Sequence, residues 1–426
     1  MAQHPLPRYL LGLMIRILAA VLIGAVLLVL VYWLPVAPMD RNLGASVDIF
    51  QEEGAYPEIL SWWESHLDNT TDANILMNAA YDSGEFPLIQ AMYGKRGTGS
   101  GQGDPVSDLI AHYAEGKEYK EASPYGRYWH GYLLYVKPAL LITGYRGIRI
   151  VNGLLQLALL AAVCLLLHRR DLKHLTGPYL LSMLFLMPLA SAMSLQFSSC
   201  YYVFTLGTLA VLTAGDALPR REGYLFAYIG IATAYFDFLT YPIATLGIPA
   251  AVCFCLRRSD RWQHTFCRGV KLCFSWGVGY VGMWAGKWVL GSLITGSNLL
   301  ADASSQIALR SSANVEADES LLRNVYVALS ANIKTFLRTP ATVLLALLVL
   351  VFLVLLGRAL ASRKVPLSRI VLVFFPFVVL ALLPPAWYAV TTQHSIIHYW
   401  FTCKGLTVSV FAGLCALSEG LRLTKE

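Results

Sequence analysis

The chain has 426 residues, 56% of them hydrophobic and only 14% charged, with a formal net charge of +7. Together with a mean hydropathy of +0.55, that composition excludes an ordinary soluble globular protein and points to a polytopic membrane protein. All eight cysteines lie outside the polar stretch between residues 35 and 130, which excludes an exported disulfide scaffold there.

The N-terminus is basic (Arg8, Arg16) and runs into an apolar segment over 9–34. The run is too long for a signal-peptide core and has no small-x-small cleavage site, so it reads as a first transmembrane helix that is retained (residues 1–34). Residues 35–147 form a long connection rich in acids, with fifteen Asp or Glu against six Lys or Arg between Pro35 and Arg127. Within it, SVDIFQEEGAYPEILSWWESHL (46–67) places Val47, Phe50, Tyr56, Ile59, Leu60, Trp63 and Leu67 near helical spacing. Pro57 there opens a second helix, and Trp62 and Trp63 suit the headgroup level, so amphipathic helices on the membrane surface are expected. The glycines of GKRGTGSGQGDP (94–105) predict a flexible loop, and GYLLYVKPALLITGY (131–145) a re-entrant or surface helix.

Further apolar runs near 149–167, 178–195, 199–217, 223–239, 241–256 and 268–291 make a transmembrane bundle over 148–291. A second polar connection, 292–340, carries a predicted helix near 319–337. C-terminal spans near 341–357, 368–390 and 400–418 fall in 341–426. The expected fold class is therefore all-α, a bundle of about 10–11 spans. The loops HRRDLK (168–173), PRREG (219–223), RRSDRWQH (257–264) and GRALASRK (357–364) are rich in Arg and Lys, whereas SLQFSS (194–199) and LTYP (239–242) carry none. By the positive-inside rule both termini are cytoplasmic and the two long connections extracytoplasmic.

The chain holds no Walker loop, no dinucleotide-binding glycine fingerprint after a strand and no Gly-x-Ser-x-Gly elbow, which argues against a cytosolic nucleotide as donor. Cys253 and Cys255 have a zinc-like spacing but no second pair follows. The informative polar residues fall on the extracytoplasmic side. They are Asp68 and Asp72 in LDNTTDANIL (67–76), Arg127, Trp129 and His130 in YGRYWHGY (125–132), Gln196 at the end of the third span, Asp237 and Tyr241 in YFDFLTYP (235–242), Lys287 in WAGKW (284–288), Arg310, and His394, His398 and Lys404 in HSIIHYWFTCKG (394–405). Ionisable groups near or within spans are costly and mark a polar cavity.

Each has a plainer reading. Asp68, followed by Asn-Thr-Thr, fits a helix cap, and Asn69-Thr70-Thr71 also fits a glycosylation sequon. Asp237 and Lys287 could form a structural ion pair, and Lys287 could instead snorkel to the surface. His394 and His398, one turn apart, could chelate a metal, but Ser395 stands where the glutamate of the His-Glu-x-x-His protease motif would be.

A retained first span, a long acidic first loop with amphipathic helices, a second long loop and cations along one face resemble the GT-C class of integral-membrane glycosyltransferases. LDNTTDANIL, YGRYWHGY, YFDFLTYP and HSIIHYWFTCKG also resemble stretches of uncharacterised bacterial multipass proteins of this type. The resemblance implies a sugar taken from a polyprenyl-phosphate carrier and transferred outside the cytoplasm, in a bacterial cytoplasmic membrane, to a glycan, lipid or protein acceptor. It implies a first-loop carboxylate as base, here Asp72 or Asp68. Arg127, Arg310, Lys404 and Lys287 would hold the lipid phosphate, with His130, His394 and His398 as donors to phosphate or sugar and Asp237 beside them. The resemblance requires no resident cofactor and leaves room for a divalent metal; nucleic acid is not an expected partner. Directly after the first span this chain has one acid, Asp40, followed by Arg41, where the class often has two. The competing readings are a flippase or transporter of a lipid-linked or anionic solute, and a membrane acyl- or phospho-transferase.

Overall fold

The computed structural model describes residues 6–60, 63–214, 218–258, 261–311, 321–361 and 366–423. The regular structure of the described residues is helical apart from two short two-stranded antiparallel sheets. Six helices among the described residues are long and apolar enough to cross a membrane: Leu6–Tyr32, Tyr145–Arg169, Leu195–Ala214, Ala341–Arg358, Ser368–Val390 and Tyr399–Leu423. This is an all-α membrane protein.

The other expected spans take different forms. The 178–195 run is broken into Thr176–Leu184 and Pro188–Met193. The residue before a proline is pushed out of the helical region, and Met187 turns left-handed with φ 54° while Pro188 starts the next helix. The 241–256 run is a single short helix, Ile243–Leu256. The 268–291 run lies inside a 34-residue helix, Trp262–Thr295, about 50 Å long. Its first turns carry Arg268 and Lys271, which pair with Glu222 of helix Leu218–Phe236 at 2.9 and 3.7 Å. Of the basic loop GRALASRK, residues 362–364 lie outside the described residues.

Helices Leu218–Phe236 and Trp262–Thr295 cross at glycines. A Cβ on Gly230 would stand 2.1 Å from Trp276 O, and one on Gly279 would stand 2.2 Å from Ala227 O. Both obstacles are backbone, so neither can step aside. Gly230→Ala is therefore expected to lower stability by about 3 kcal/mol through overpacking, read as an earlier midpoint in an SDS unfolding titration; an unchanged midpoint would mean the helices can part freely.

The first connection is an ordered cap rather than a surface loop. Val47–Glu53 is helical as expected, but Gly54 turns left-handed (φ 70°) and the second helix predicted from Pro57 is absent. Instead Glu58–Leu60 pairs with Trp63–His66 as a hairpin. The glycine-rich stretch is pinned too. Arg96–Thr98 pairs with Glu121–Ser123, and the amides of Gly99 and Gly101 donate to the Asp108 carboxylate at 3.1 and 2.9 Å. Leu133–Ile142 is the expected short helix. In the second connection Leu321–Phe336 matches the predicted helix, and Leu299–Arg310 adds one that the Ser/Asn-rich composition concealed.

Candidate functional site

Helix Asn69–Ala80 begins on Asp68, whose Oδ1 accepts from Thr71 N at 2.8 Å; the cap reading holds. One turn later Asp72 is fully buried. Its carboxylate accepts from Leu195 N at 2.8 Å, Gln196 N at 3.0 Å, Ser194 Oγ at 3.2 Å and the Tyr145 hydroxyl. Asp72 thus caps the start of Leu195–Ala214 from a distant part of the chain, meeting open amides and the positive end of the helix dipole at once. Burial still pushes its carboxyl above the ordinary value.

Beyond Tyr145 the network continues. Arg149 Nη2 donates to the Tyr145 hydroxyl at 3.2 Å and to Asn69 Oδ1 at 3.0 Å, and Glu53 holds Arg149 with both oxygens at 2.6 and 2.8 Å. Burial would raise the Glu53 carboxyl, but the bonds from Arg149 and Asn69 win and hold it below its usual value. None of Glu53, Tyr145 and Arg149 stood out in the sequence. An arginine at the edge of an apolar run was the available signal.

Several predicted cations point inward. Lys287 is fully buried and donates to the carbonyls of Ala91 and Met92 at 3.0 and 3.1 Å; it neither snorkels nor meets Asp237. Asp237 is spent locally on Thr240, whose N and Oγ1 donate to it at 3.0 and 2.6 Å. The expected ion pair is replaced by two self-contained sites, because each group found nearer partners. Lys404 is buried, donates to Leu186 O at 3.0 Å and lies 4.8 Å from the Phe197 ring centroid, so it points into the bundle rather than out of it. His130, at φ 57°, contacts Tyr125 O through Nε2 at 2.8 Å and the Tyr132 hydroxyl through Nδ1. A carbonyl can only accept, so Nε2 carries the hydrogen and the ring has no nitrogen to spare. Burial holds this imidazole neutral, down to about 3.

Four of the predicted residues do share one region. Arg310 donates to the Tyr128 hydroxyl, and Arg127 lies 4.4 Å from the Tyr125 ring centroid with Asp302 at 3.5 Å. No ion pair links Arg310 to a carboxylate among the described residues. Both arginines line a groove of about 330 Å³ whose walls are Tyr280, Trp284 and Trp288 on the long helix, Ile307, and Trp387 and Val390 on Leu383–Val390.

Leu239, also in its wall, has a left-handed backbone (φ 68°), and its carbonyl meets His394 Nε2 at 2.8 Å. That contact places the hydrogen on Nε2 and leaves His394 Nδ1 as a bare acceptor. Nδ1 of His394, Nδ1 of His398 and Nε1 of Trp400 are all buried without a hydrogen-bond partner. The two imidazole centroids are 4.8 Å apart and His398 is 5.3 Å from Trp400. Burial and the Arg310 guanidinium keep both imidazoles neutral, His394 down to about 3 and His398 to about 4, with His398 also acting on His394. Among the described residues no third His, Cys, Asp or Glu joins them in a metal-ligand group.

Tyr56 links Asp68 to this cluster. Its ring packs edge-on against Trp400 at 5.5 Å, and burial together with the nearby Asp68 charge raises its phenol. Asp68 itself is 3% exposed and burial pushes its carboxyl up to about 6. The residues brought together are therefore Arg127, Arg310, His394 and His398, with Tyr128 and Trp400; Asp68 reaches them only through Tyr56. Asp72, His130, Asp237, Lys287 and Lys404 are each committed to holding backbone or buried side chains. Asp40, the single acid after the first span, accepts from the Tyr113 hydroxyl at 2.6 Å.

Comparison with family models, with curated proteins and with solved structures gives no match to this chain.

Proposed function

We propose that this protein transfers a sugar from a polyprenyl-phosphate donor to an envelope acceptor on the extracytoplasmic side of the membrane. The observation that carries the reading is the placement of Arg310, without a carboxylate ion pair among the described residues, at the head of an aromatic, apolar groove. An isoprenoid chain suits such walls, and a guanidinium suits the phosphate that ends it. The acceptor hydroxyl attacks C1 of the sugar, its proton passes to Asp68, and the C1–O bond to phosphate breaks. The lipid phosphate leaves as an anion, needing positive charge from Arg310 and Arg127 rather than a proton. Trp400 Nε1 is a spare donor and His394 Nδ1 a spare acceptor, suited to sugar hydroxyls. Asp68 is preferred to Asp72 as base because Asp72 accepts from two helix amides and two hydroxyls, whereas Asp68 is bonded by one neighbouring residue, Thr71.

The test is release of free polyprenyl phosphate from synthetic polyprenyl-phosphate hexoses by the purified protein in nanodiscs. Wild type is expected to turn over. Asp68→Asn should bind donor and release none; a transporter would bind donor and release none even as wild type. Wild-type kcat/KM should rise with pH through about 6 as Asp68 ionises, and a rising limb that persists unchanged in a still-active Asp68→Asn would remove Asp68 from the role. The same shift works against the fold. A carboxyl raised in the folded state favours folding below the unfolded value near 4, and that contribution is lost as pH climbs to about 6.

A further inference from the structure

Helix Leu195–Ala214 packs against both Tyr145–Arg169 and Leu218–Phe236. The three helices line a groove of about 690 Å³, larger than the one at Arg310, and Leu133–Ile142 borders it at the end that carries the Asp72 network. Along Leu195–Ala214 the lining positions Leu195, Ser199, Tyr202, Leu206 and Ala210 follow at steps of three and four. They form one continuous stripe of about 22 Å at 1.5 Å per residue. That exceeds the half-thickness of a bilayer's hydrocarbon core, about 15 Å. The groove therefore has the reach of an extended hydrocarbon chain rather than of a compact solute. Val151, Leu155, Leu206 and Tyr228 in its walls are exposed, which opens it sideways to surrounding lipid.

Apolar walls select nothing by themselves in a bilayer, because lipid tails are as apolar as the leucines that meet them. Selection falls to the polar end. There the Tyr135 hydroxyl and Ser199 Oγ stand 3.2 Å apart, and neither hydroxyl makes another hydrogen bond among the described residues. Two hydroxyls sharing one contact use one hydrogen and leave one over. Inside apolar walls that surplus donor is a cost until an incoming acceptor takes it. The neighbouring pair has no such surplus: the Tyr202 hydroxyl donates to Asn152, whose amide donates to Ala192 O at 2.6 Å and Ser198 Oγ at 2.7 Å. No charged side chain is among the groove's described lining residues, and the carboxylates of Asp72 and Asp237 act on Tyr135. An anionic head would meet repulsion there and no counter-charge. We propose that this groove binds a neutral glycerolipid, one chain lying along the stripe and a free hydroxyl of its head on Tyr135 and Ser199. The site is separate from the Arg127–Arg310 groove and independent of the reaction proposed there.

The full chain is reconstituted with equal amounts of dioleoylglycerol, phosphatidylglycerol and phosphatidylcholine. Lipids that stay bound after transfer to detergent are identified by native mass spectrometry. Wild type is expected to retain dioleoylglycerol in preference to both phospholipids. Tyr135→Phe with Ser199→Ala should cut that preference by about fivefold, the scale of one lost hydrogen bond. Ala232→Trp, which fills the groove from the wall of Leu218–Phe236, should abolish retention. Ala210→Trp fills the other end of the stripe and takes its place if Ala232→Trp fails to fold. Val351→Trp, on the exposed face of Ala341–Ala361, should retain lipid as wild type does. Equal retention of the three lipids means bulk lipid only and overturns the proposal. So does a preference for phosphatidylglycerol, an undiminished preference in the hydroxyl variant, or retention by the groove-filling variant equal to wild type. A dimer of this chain in place of bound lipid, lost in Ala232→Trp and kept in Val351→Trp, would overturn it too.

Discussion

Asp72→Asn is expected to destabilise the protein by about 3 kcal/mol or more, the cost of leaving buried donors without an acceptor. The wild-type carboxylate receives four donors, two of them amides of one helix start. An asparagine has a single oxygen, so its amide nitrogen must turn two hydrogens toward the others. The expected readout is a lowered midpoint of thermal or SDS unfolding and poor recovery from the membrane, with any loss of activity following loss of fold. A well-folded Asp72→Asn that binds donor and fails only in turnover would reverse the assignment, returning the base to Asp72 and leaving Asp68 as a helix cap. Glu53→Gln serves as a companion. It sits in the same network through Arg149, and its effect should be sub-additive with that of Asp72→Asn because both act on the Tyr145–Arg149 link.

Arg310→Ala is expected to cut turnover of a polyprenyl-phosphate sugar by at least about a hundredfold, the usual scale for removing a group that stabilises a leaving anion. The fold should survive, since Arg310 meets the Tyr128 and Tyr125 side chains and lies at the end of its helix. Arg310→Lys keeps the charge but loses the fork, so it should recover part of the activity. The variant should also release His394 and His398 from a neighbouring positive charge that helps keep them neutral, so their imidazole titration followed by NMR should move upward. Turnover and donor affinity equal to wild type in Arg310→Ala would separate the groove from the chemistry.

Much of the architecture was legible because span length and apolar runs report directly on a bilayer. The runs at 9–34, 149–167, 341–357, 368–390 and 400–418 each match a helix of crossing length. The 178–195 run misled because hydropathy does not register Met187-Pro188 as a break, and the Pro57 region misled because alternation and helical spacing coincide over so few residues. The site was legible only in part. Sequence placed Asp68, Arg127, Arg310, His394 and His398 on one side; the arginines and histidines do gather, and Asp68 joins them only through Tyr56. It could not tell whether Lys287, Lys404 or His130 finds a carbonyl nearby, because that depends on where a distant backbone passes: Ala91 for one, Leu186 for another, Tyr125 for the third. The Glu53–Arg149–Tyr145–Asp72 chain escaped for the same reason, since its members are up to 96 residues apart.

The glycine crossing of Leu218–Phe236 and Trp262–Thr295 has a mechanical consequence. At Gly230 and Gly279 each helix rests on the other's backbone with no side chain between them. Hinged and sheared bundles move by letting side chains slide past one another, and here there is no such layer to act as a bearing. Since the long helix also carries the tryptophan wall of the groove, that wall is locked in place relative to Leu218–Phe236 and the Asp237 turn that follows it. On the proposed function, a long lipid chain would therefore reach Arg310 by entering sideways between stationary helices, as a key enters a slot from its open edge, with no rocking of one half of the bundle against the other.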